Sequence, residues 1–230
     1  MIQSIKSDLE KLANKEKAKV LQGFFKTGKG EYGEGDIFLG VIVPDQRKIA
    51  KKNSGLPLAK IKELLDSPIH EHRLTGGLIL VEKYQTSEDK GTMVDFYLKN
   101  ATKFNNWDLV DLTSTKILGD FLLTNKKEIL YKLSKSKNIW ERRISIISTY
   151  PLIKNNQFEE ILEISESLLE DKNELIHKAI GWMLREVGKK NKIVLENFLK
   201  RNIKQMPRVM LRYSIEKFSK DEQKYYLSLK

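Results

Sequence analysis

Apolar residues recur at three- and four-residue spacing along most of the chain, which is the pattern of amphipathic α-helices. Clusters of Gly, Pro, Asn and Ser separate these segments, as expected of short connections between helices. The only candidate strand is IFLGVIV at 37–43, and it has no second run to pair with. The predicted helical segments are 56–66, 71–84, 91–99, 107–123, 126–133, 139–150, 157–169, 174–188, 192–199 and 207–218.

Three tryptophans follow one another at intervals of roughly 30 to 45 residues, the length of the helix pairs that stack into HEAT-type solenoids. They are Trp107, Trp140 and Trp182, and two helices are predicted in each interval. Such a stack presents a concave surface lined by one helix of each pair. We therefore expect an all-α fold, a HEAT-like helical-repeat solenoid or α-α superhelix, in a single domain over residues 1–230.

Each tryptophan also has a charged residue about one helical turn away, an arrangement suited to binding cations or bases at a wet surface. In 107–123, Trp107 lies on the apolar face and Asp111 at its edge, where burying a carboxylate is costly unless it is paired. The Asp111 carboxylate is thus either paired with a neighbouring side chain or takes part in the function of the protein. Asp108 is expected to point outward, as a first-turn acid that suits the helix dipole.

The next helix, 139–150, has Trp140 in its apolar stripe, Arg143 beside the stripe and Arg142 pointing away. Arg143 either extends over the edge of the core or is fixed to grip a phosphate or a carboxylate.

Trp182 lies off the apolar face of 174–188, between Lys178 and Arg185. This edge is expected to bind a ligand, unless another helix covers it. Arg208 and Arg212 are one turn apart and add to the basic surface. The apolar face of 174–188 is predicted to consist of Ile176, Ala179, Ile180, Met183 and Val187.

Composition narrows the classes of partner and compartment. The 230 residues include 42 Lys and Arg against 31 Asp and Glu, a net charge of +11 that favours nucleic acid first and anionic membranes second. The alternative is a lysine-rich surface that only keeps the protein soluble.

The absence of cysteine excludes disulfides and thiolate chemistry and fits a reducing compartment. With no signal-peptide core and no run of about 18 apolar residues, a soluble, cytoplasmic protein is expected.

Two short motifs are interpreted as structural. Gly28–Gly33 fits G-x-G-x-x-G, but it follows a helical run and its neighbouring carboxylates would repel a phosphate, so a surface loop is expected. His70 and His72 are two residues apart, on nearly opposite sides of a helix, and no histidine has the spacing of a metal site. Any catalysis would then depend on a carboxylate and aromatic rings.

Five segments resemble, in order and spacing, the DNA alkylation repair glycosylases of the AlkD type. The resemblance covers most of the chain, from about Phe24 to Phe218. The segments are FFKTGKGEYGEGDIFLGVIVPDQRKIAKK, NNWDLVD…ILGDFL, IWERRISII, LIHKAIGWMLREVGK and MPRVMLRYSIEKF.

The resemblance implies a HEAT-like solenoid that holds duplex DNA on a basic concave face. It further implies a DNA glycosylase that hydrolyses the N-glycosidic bond of N3- and N7-alkylated purines, in base excision repair. By local motif Asp111 is the catalytic residue, and Trp107, Arg143 and Trp182 line the lesion site. Asn106 stands where the family often has an aromatic residue, so one wall of the cleft is expected to differ.

The expected partner is double-stranded DNA that contains alkylated purines, with backbone contacts from Lys178, Arg185, Arg208 and Arg212. No metal, organic cofactor, membrane or obligate protein partner is implied.

An alkylated purine carries a fixed positive charge and is a good leaving group, so a strong general acid is not needed. Asp111 can stabilise the cationic sugar and orient the water that captures it. Arg143 would hold the flanking phosphate, and the indoles would add cation–π attraction of about 0.5–2 kcal/mol each.

Two other functions fit the same pattern. One is a non-catalytic HEAT-like DNA-binding protein that recognises branched or distorted DNA. The other is a protein-interaction scaffold, which is common among helical repeats. The presence of both Trp107 and Asp111 favours the enzyme, and a strong salt dependence of DNA affinity would favour nucleic acid over a protein partner.

Overall fold

The computed structural model describes residues 2–230, and the regular secondary structure in this range is helical. An isolated parallel bridge between Ile37 and Ile69 is the one β contact among these residues. The all-α prediction is therefore confirmed, and the candidate strand at 37–43 does not form. No helix in the described range is both long enough and apolar enough to cross a membrane.

The chain divides into two compact units, the first ending at Ile117 and the second running Leu118–Lys230. The expectation of one repeat domain over 1–230 stays a prediction. The helices of the first unit are α1 (Ile2–Lys11), α2 (Lys15–Phe24), α3 (Val43–Lys52), α4 (Leu58–Leu65), α5 (His70–Thr86), α6 (Lys90–Lys99) and α7 (Trp107–Thr113), with a 3₁₀ turn at Ala101–Lys103.

The second unit contains nine helices over Leu118–Lys230, and most of them begin within two residues of a predicted start. They are α8 (Leu118–Phe121), α9 (Glu128–Ser134), α10 (Ile139–Ile147), α11 (Tyr150–Lys154), α12 (Glu159–Ser167), α13 (Glu174–Lys190), α14 (Lys192–Asn202), α15 (Arg208–Ser214) and α16 (Lys220–Ser228). Helix α11 forms where the sequence predicts a connection between two helices. Its Pro151 is tolerated because it lies in the first turn, where the backbone N–H that proline lacks would have no partner within the helix.

One central helix organises each unit. In the first, α5 packs against α1, α3, α4, α6 and α7, and every residue from His70 to Val81 is buried. In the second, α13 packs against α10, α11, α12, α14 and α15. All five residues predicted for the apolar face of α13 are buried, which confirms that face.

The predicted helix over 107–123 is broken. Helix α7 ends at Thr113, and turns lead to α8 at Leu118. The break falls in Thr113-Ser114-Thr115, where hydroxyl side chains compete for backbone hydrogen bonds; Thr113 Oγ1 donates to the Leu109 carbonyl at 2.6 Å. Trp107 and Asp111 still share one helix, whereas Phe121 lies outside it.

A buried carboxylate shapes the loop between α2 and α3. Glu71, in the first turn of α5, accepts hydrogen bonds from the backbone N–H groups of Leu39, Gly40 and Val41 at 2.9, 2.7 and 3.2 Å. Gly40 adopts a φ of 85°, and a Cβ there would lie 2.1 Å from the Asn14 carbonyl oxygen. Only glycine fits this position, so the path of the loop depends on it.

We expect Gly40→Ala to destabilise the protein by about 3 kcal/mol or more, because it adds a steric overlap with the backbone to the cost of a positive φ. Gly30→Ala is the matched control, since Gly30 has a φ of 80° but open space around it; it should cost about 1–2 kcal/mol. Urea unfolding at neutral pH measures both. Equal losses in the two variants would contradict the close approach at Gly40.

Candidate functional site

Helix α7 carries two of the predicted site residues, Trp107 and Asp111, one turn apart and both half-buried. Asn106 fixes the start of the helix, because its side-chain oxygen accepts a hydrogen bond from the Trp107 N–H at 2.8 Å. Burial raises the pKa of the Tyr97 hydroxyl on α6, and the negative charge of Asp111 raises it further. The expected placement of Asp111 at the edge of an apolar face is confirmed.

Four rings stack in the order Trp107, Phe25, Phe38 and His70, and we call this group the aromatic stack. Successive centroids are 4.9, 5.1 and 4.4 Å apart, with interplanar angles of 18°, 20° and 21°. Phe24 meets the indole edge-on at 5.8 Å and is 61% exposed. Phe24 and Trp107 thus form an accessible aromatic surface backed by buried rings.

His70 ends the aromatic stack inside a buried ion cluster of His70, Asp36, Asp108 and Arg73. Its Nδ1 lies 3.1 Å from Asp36 Oδ2, and its Nε2 lies 2.8 Å from Asp108 Oδ2. Arg73 donates to Asp36 Oδ1 at 2.6 Å. Ionised carboxylates only accept hydrogen bonds, so both ring nitrogens of His70 must donate, and the imidazole is a cation.

Burial alone would lower the pKa of His70, but the charge and hydrogen bond of Asp108 and the hydrogen bond of Asp36 prevail and raise it to about 9. Burial opposes ionisation of Asp36, yet the hydrogen bond from His70 and the charge of Arg73 hold the pKa of that carboxyl below its usual value. By contrast, burial and the charges of Lys6 and Arg73 lower the pKa of His72 to about 4. The same helix therefore presents one cationic and one neutral imidazole at neutral pH.

One sequence prediction about these residues is wrong. Asp108 does not point outward: it is buried, since the first turn of α7 packs on α5 and presents this carboxylate to His70. Asn106 is fully buried and caps α7, and the expectation that one wall of the cleft differs there stays a prediction. A helical wheel gives the angle between side chains, but it does not show which direction a neighbouring helix will cover.

The second unit contains Trp140 and Arg143 on α10. Trp140 is only 6% exposed and belongs to the core with Ile144 and Ile147, so it is not at a wet surface. Arg143 is also buried, and its NH1 group donates to the Leu175 carbonyl oxygen at 2.7 Å, which joins α10 to α13. Arg142, predicted to point away, forms a partly buried ion pair with Asp171 at 2.7 Å.

Trp182 on α13 is half-buried, and its ring centroid lies 6.5 Å from that of Tyr150. The flanking cations both contact carboxylates: Lys178 pairs with Glu174 at 2.6 Å, and Arg185 pairs with Glu216. The predicted edge of a tryptophan between two cations is present, but these cations are partly neutralised. A phosphate that bound them would compete with these carboxylates.

Arg208 and Arg212 lie one turn apart on α15 and are exposed, and neither forms an ion pair with any residue of 2–230. Their charges are therefore accessible to an external anion.

The Gly28–Gly33 segment is a run of turns after α2, as expected of a surface loop. The Gly28 and Gly30 N–H groups donate to Glu31 and Glu34 at 2.9 and 2.8 Å, so the loop's own carboxylates occupy them. Within residues 2–230 no group of three His, Asp or Glu side chains is arranged to hold a metal ion.

We expect the cationic state of His70 to make stability depend on pH. The folded-state pKa exceeds the unfolded value of 6.5, so the stabilisation is complete below about pH 6.5 and is lost as the pH rises through about 9. Unfolding free energy should fall by on the order of 3 kcal/mol across that window. Urea unfolding at several pH values measures the fall, and His70→Gln should lack it.

Nitrogen NMR of the imidazoles observes the protonation of His70 directly. The chain has three histidines, so the imidazole signals are few enough to assign. His70 should carry protons on both nitrogens at about pH 7.5, while His72 should be neutral there. A neutral His70 at that pH would contradict the ion cluster.

Comparison with known proteins gives a consistent picture. The chain resembles a solved structure described as a predicted DNA alkylation repair enzyme from Enterococcus faecalis, with a TM-score of 0.72 and 19% sequence identity. The match covers 90% of this chain and 97% of that one, and at this identity it establishes the fold alone. The fold class is thus an all-α helical repeat. A search of the curated proteins found no match.

The model of one family matches residues 5–218, nearly the whole chain, and that family is described as DNA alkylation repair enzyme. The matched range includes every residue singled out above as a site candidate. The chain therefore belongs to the DNA alkylation repair enzyme family.

Proposed function

We propose that this protein is a DNA glycosylase, which hydrolyses the N-glycosidic bond of N3- and N7-alkylated purines in duplex DNA as a step of base excision repair. One observation carries the proposal: α7 presents a half-buried carboxylate, Asp111, one turn from a half-buried indole, Trp107, that rests on buried aromatic rings. Family membership supports a role in alkylation repair. DNA is the proposed partner, in the cytoplasm and on the nucleoid.

The chemistry needs few protein groups. When the glycosidic bond breaks, its electron pair goes to the purine nitrogen and cancels the fixed positive charge of the base. Positive charge then develops on C1′ and the ring oxygen of the deoxyribose. Asp111 stabilises this charge and orients a water molecule, which adds to C1′ and releases a proton to solvent.

Aromatic surfaces supply the attraction for the cationic base. Trp107 offers an indole face to the alkylated purine, for which cation–π attraction contributes about 0.5–2 kcal/mol. Phe24, exposed beside it, extends the same surface. The roles that the resemblance implies for Trp182, contact with the lesion, and for Arg143, contact with a flanking phosphate, stay predictions.

The DNA backbone is proposed to contact Lys178, Arg185, Arg208 and Arg212. The two exposed arginines of α15 lack partners within residues 2–230, whereas Lys178 and Arg185 must exchange carboxylates for phosphates. Arg208 and Arg212 are therefore expected to contribute more to affinity.

We expect Asp111→Asn to reduce the release of 3- and 7-methylpurines from methylated duplex DNA by about 10²–10³-fold, because the amide cannot stabilise the sugar cation. DNA affinity should remain within about threefold. Single-turnover release, followed by chromatography of the free base, measures the effect.

Asp95→Asn is the matched control, since it removes the same charge from an exposed position of α6 in the same unit. It should release base at the native rate. Equal release by Asp111→Asn and the native protein would remove Asp111 from the mechanism. Tight binding of junction DNA without base release by the native protein would favour the non-catalytic DNA-binding function.

We expect Arg208→Ala and Arg212→Ala each to make the slope of log affinity against log salt shallower by about 0.9, the value for one lost phosphate contact on duplex DNA. Lys178→Ala, which also removes the contact of Lys178 with Glu174, should change the slope less. Binding titrations at several salt concentrations measure these slopes. Unchanged slopes in both arginine variants would show that neither Arg208 nor Arg212 contacts a phosphate of the DNA backbone.

A further inference from the structure

The buried ion cluster lies behind the proposed lesion site and connects to it by two routes. The first route is Asp108, which accepts hydrogen bonds from His70 and from the Leu109 N–H, the latter at 2.9 Å. Asp108 belongs to the same helical turn as Trp107 and precedes Asp111 by three residues. His70 therefore holds the first turn of α7, whose direction sets the positions of both site residues.

The second route is the aromatic stack. The imidazole of His70 lies 4.4 Å from the Phe38 ring and 5.0 Å from the Phe25 ring, and Phe25 in turn supports the Trp107 indole. A displacement of the imidazole would thus reach the indole through two rings in contact. Close packing transmits such shifts because a buried cluster has no room to absorb them.

We propose that His70 is a positioning residue of the lesion site, which orients Trp107 and Asp111 by bridging Asp36 and Asp108 and by supporting the aromatic stack. This role rests on the proposed glycosylase function for its effect on catalysis. His70 is only 1% exposed, so it acts through its neighbours and not by contact with DNA or base.

The charged groups around His70 come from three parts of the chain. Asp36 lies on the loop before α3, Asp108 on α7, and Arg73 on α5 itself. The other ionisable side chains at the start of α5 face elsewhere: Glu71 binds the backbone at 39–41, and His72 contacts Ser67 at 2.9 Å. With two carboxylates, one imidazolium and one guanidinium, the cluster is electrically neutral, which makes its burial tolerable.

The first test measures catalysis. Glutamine in His70→Gln carries no positive charge and has both N–H groups on one nitrogen, so it cannot replace the two donors that lie on opposite sides of the imidazolium ring. Single-turnover release of methylpurine should therefore fall by about 10²-fold, the effect of a displacement near 1 Å at a reacting centre. DNA affinity should change by less than about threefold. His72→Gln is the matched control, because His72 is buried on the same helix but does not contact Asp108; it should keep the native rate. A native release rate in His70→Gln would overturn the proposal.

The second test does not depend on enzymatic activity. Incorporation of 5-fluorotryptophan gives three fluorine resonances, one for each tryptophan, and Trp107→Phe identifies that of Trp107. In His70→Gln the Trp107 resonance should shift or broaden, whereas those of Trp140 and Trp182 should stay in place. An unchanged Trp107 resonance would overturn the proposal, whatever the enzymatic activity. Absence of base release by the native protein, together with a shifted resonance, would instead refute only the proposed function.

A third measurement covers the case in which His70→Gln does not fold. In Asp108→Asn the amide can donate to a neutral imidazole, so the contact survives without the proton. The native release rate should fall as the pH rises through about 9, and Asp108→Asn should lack this fall. Methylated duplex DNA without protein supplies the uncatalysed rate at each pH. The same alkaline fall in native protein and Asp108→Asn would exclude His70 as its source.

Discussion

The contact of one imidazolium with two buried carboxylates is the interaction on which the first unit depends. It joins the loop before α3, the central helix α5 and the start of α7, which are far apart in the sequence. The contact is required because α5 is buried on all sides from His70 to Val81, so its polar first turn must find partners inside the protein. Removing one member would leave an uncompensated charge, which costs far more than the pair contributes.

Much of the helical pattern could be predicted from the sequence. Residues such as Ile176, Ile180 and Met183 recur at the helical period, and burial follows directly from that spacing. Asparagine caps also sit where the helices begin, as Asn106, Asn138 and Asn173 illustrate. The break after Thr113 was harder to predict, because apolar periodicity continues through Thr113-Ser114-Thr115, three residues of modest helix propensity.

The candidate site could be predicted only in part. Trp107 and Asp111 stand out because an aromatic ring and an acid recur one turn apart. Phe25, Phe38 and His70 give no such signal, since their contacts join segments that meet only in the folded chain. Polar residues in the first turn of a helix usually face solvent, and that expectation failed for Asp108 because its helix begins directly against α5.

A protein that acts on a base with a fixed positive charge needs attraction and orientation more than acid catalysis. The first unit contains the elements for both: an accessible aromatic surface at Trp107 and Phe24, and a carboxylate on the same helix. Rigid support from buried rings and ions would keep that carboxylate in place while charge develops on the sugar.

The central claim is that Asp111 stabilises a cationic sugar during release of the base. The most direct measurement is the single-turnover release of 7-methylguanine from duplex DNA that carries deuterium at C1′ of the lesion. The account predicts release that is slower with deuterium than with hydrogen, because C1′ becomes planar and cationic before water adds. Equal rates with the two isotopes, or no release of base, would contradict it.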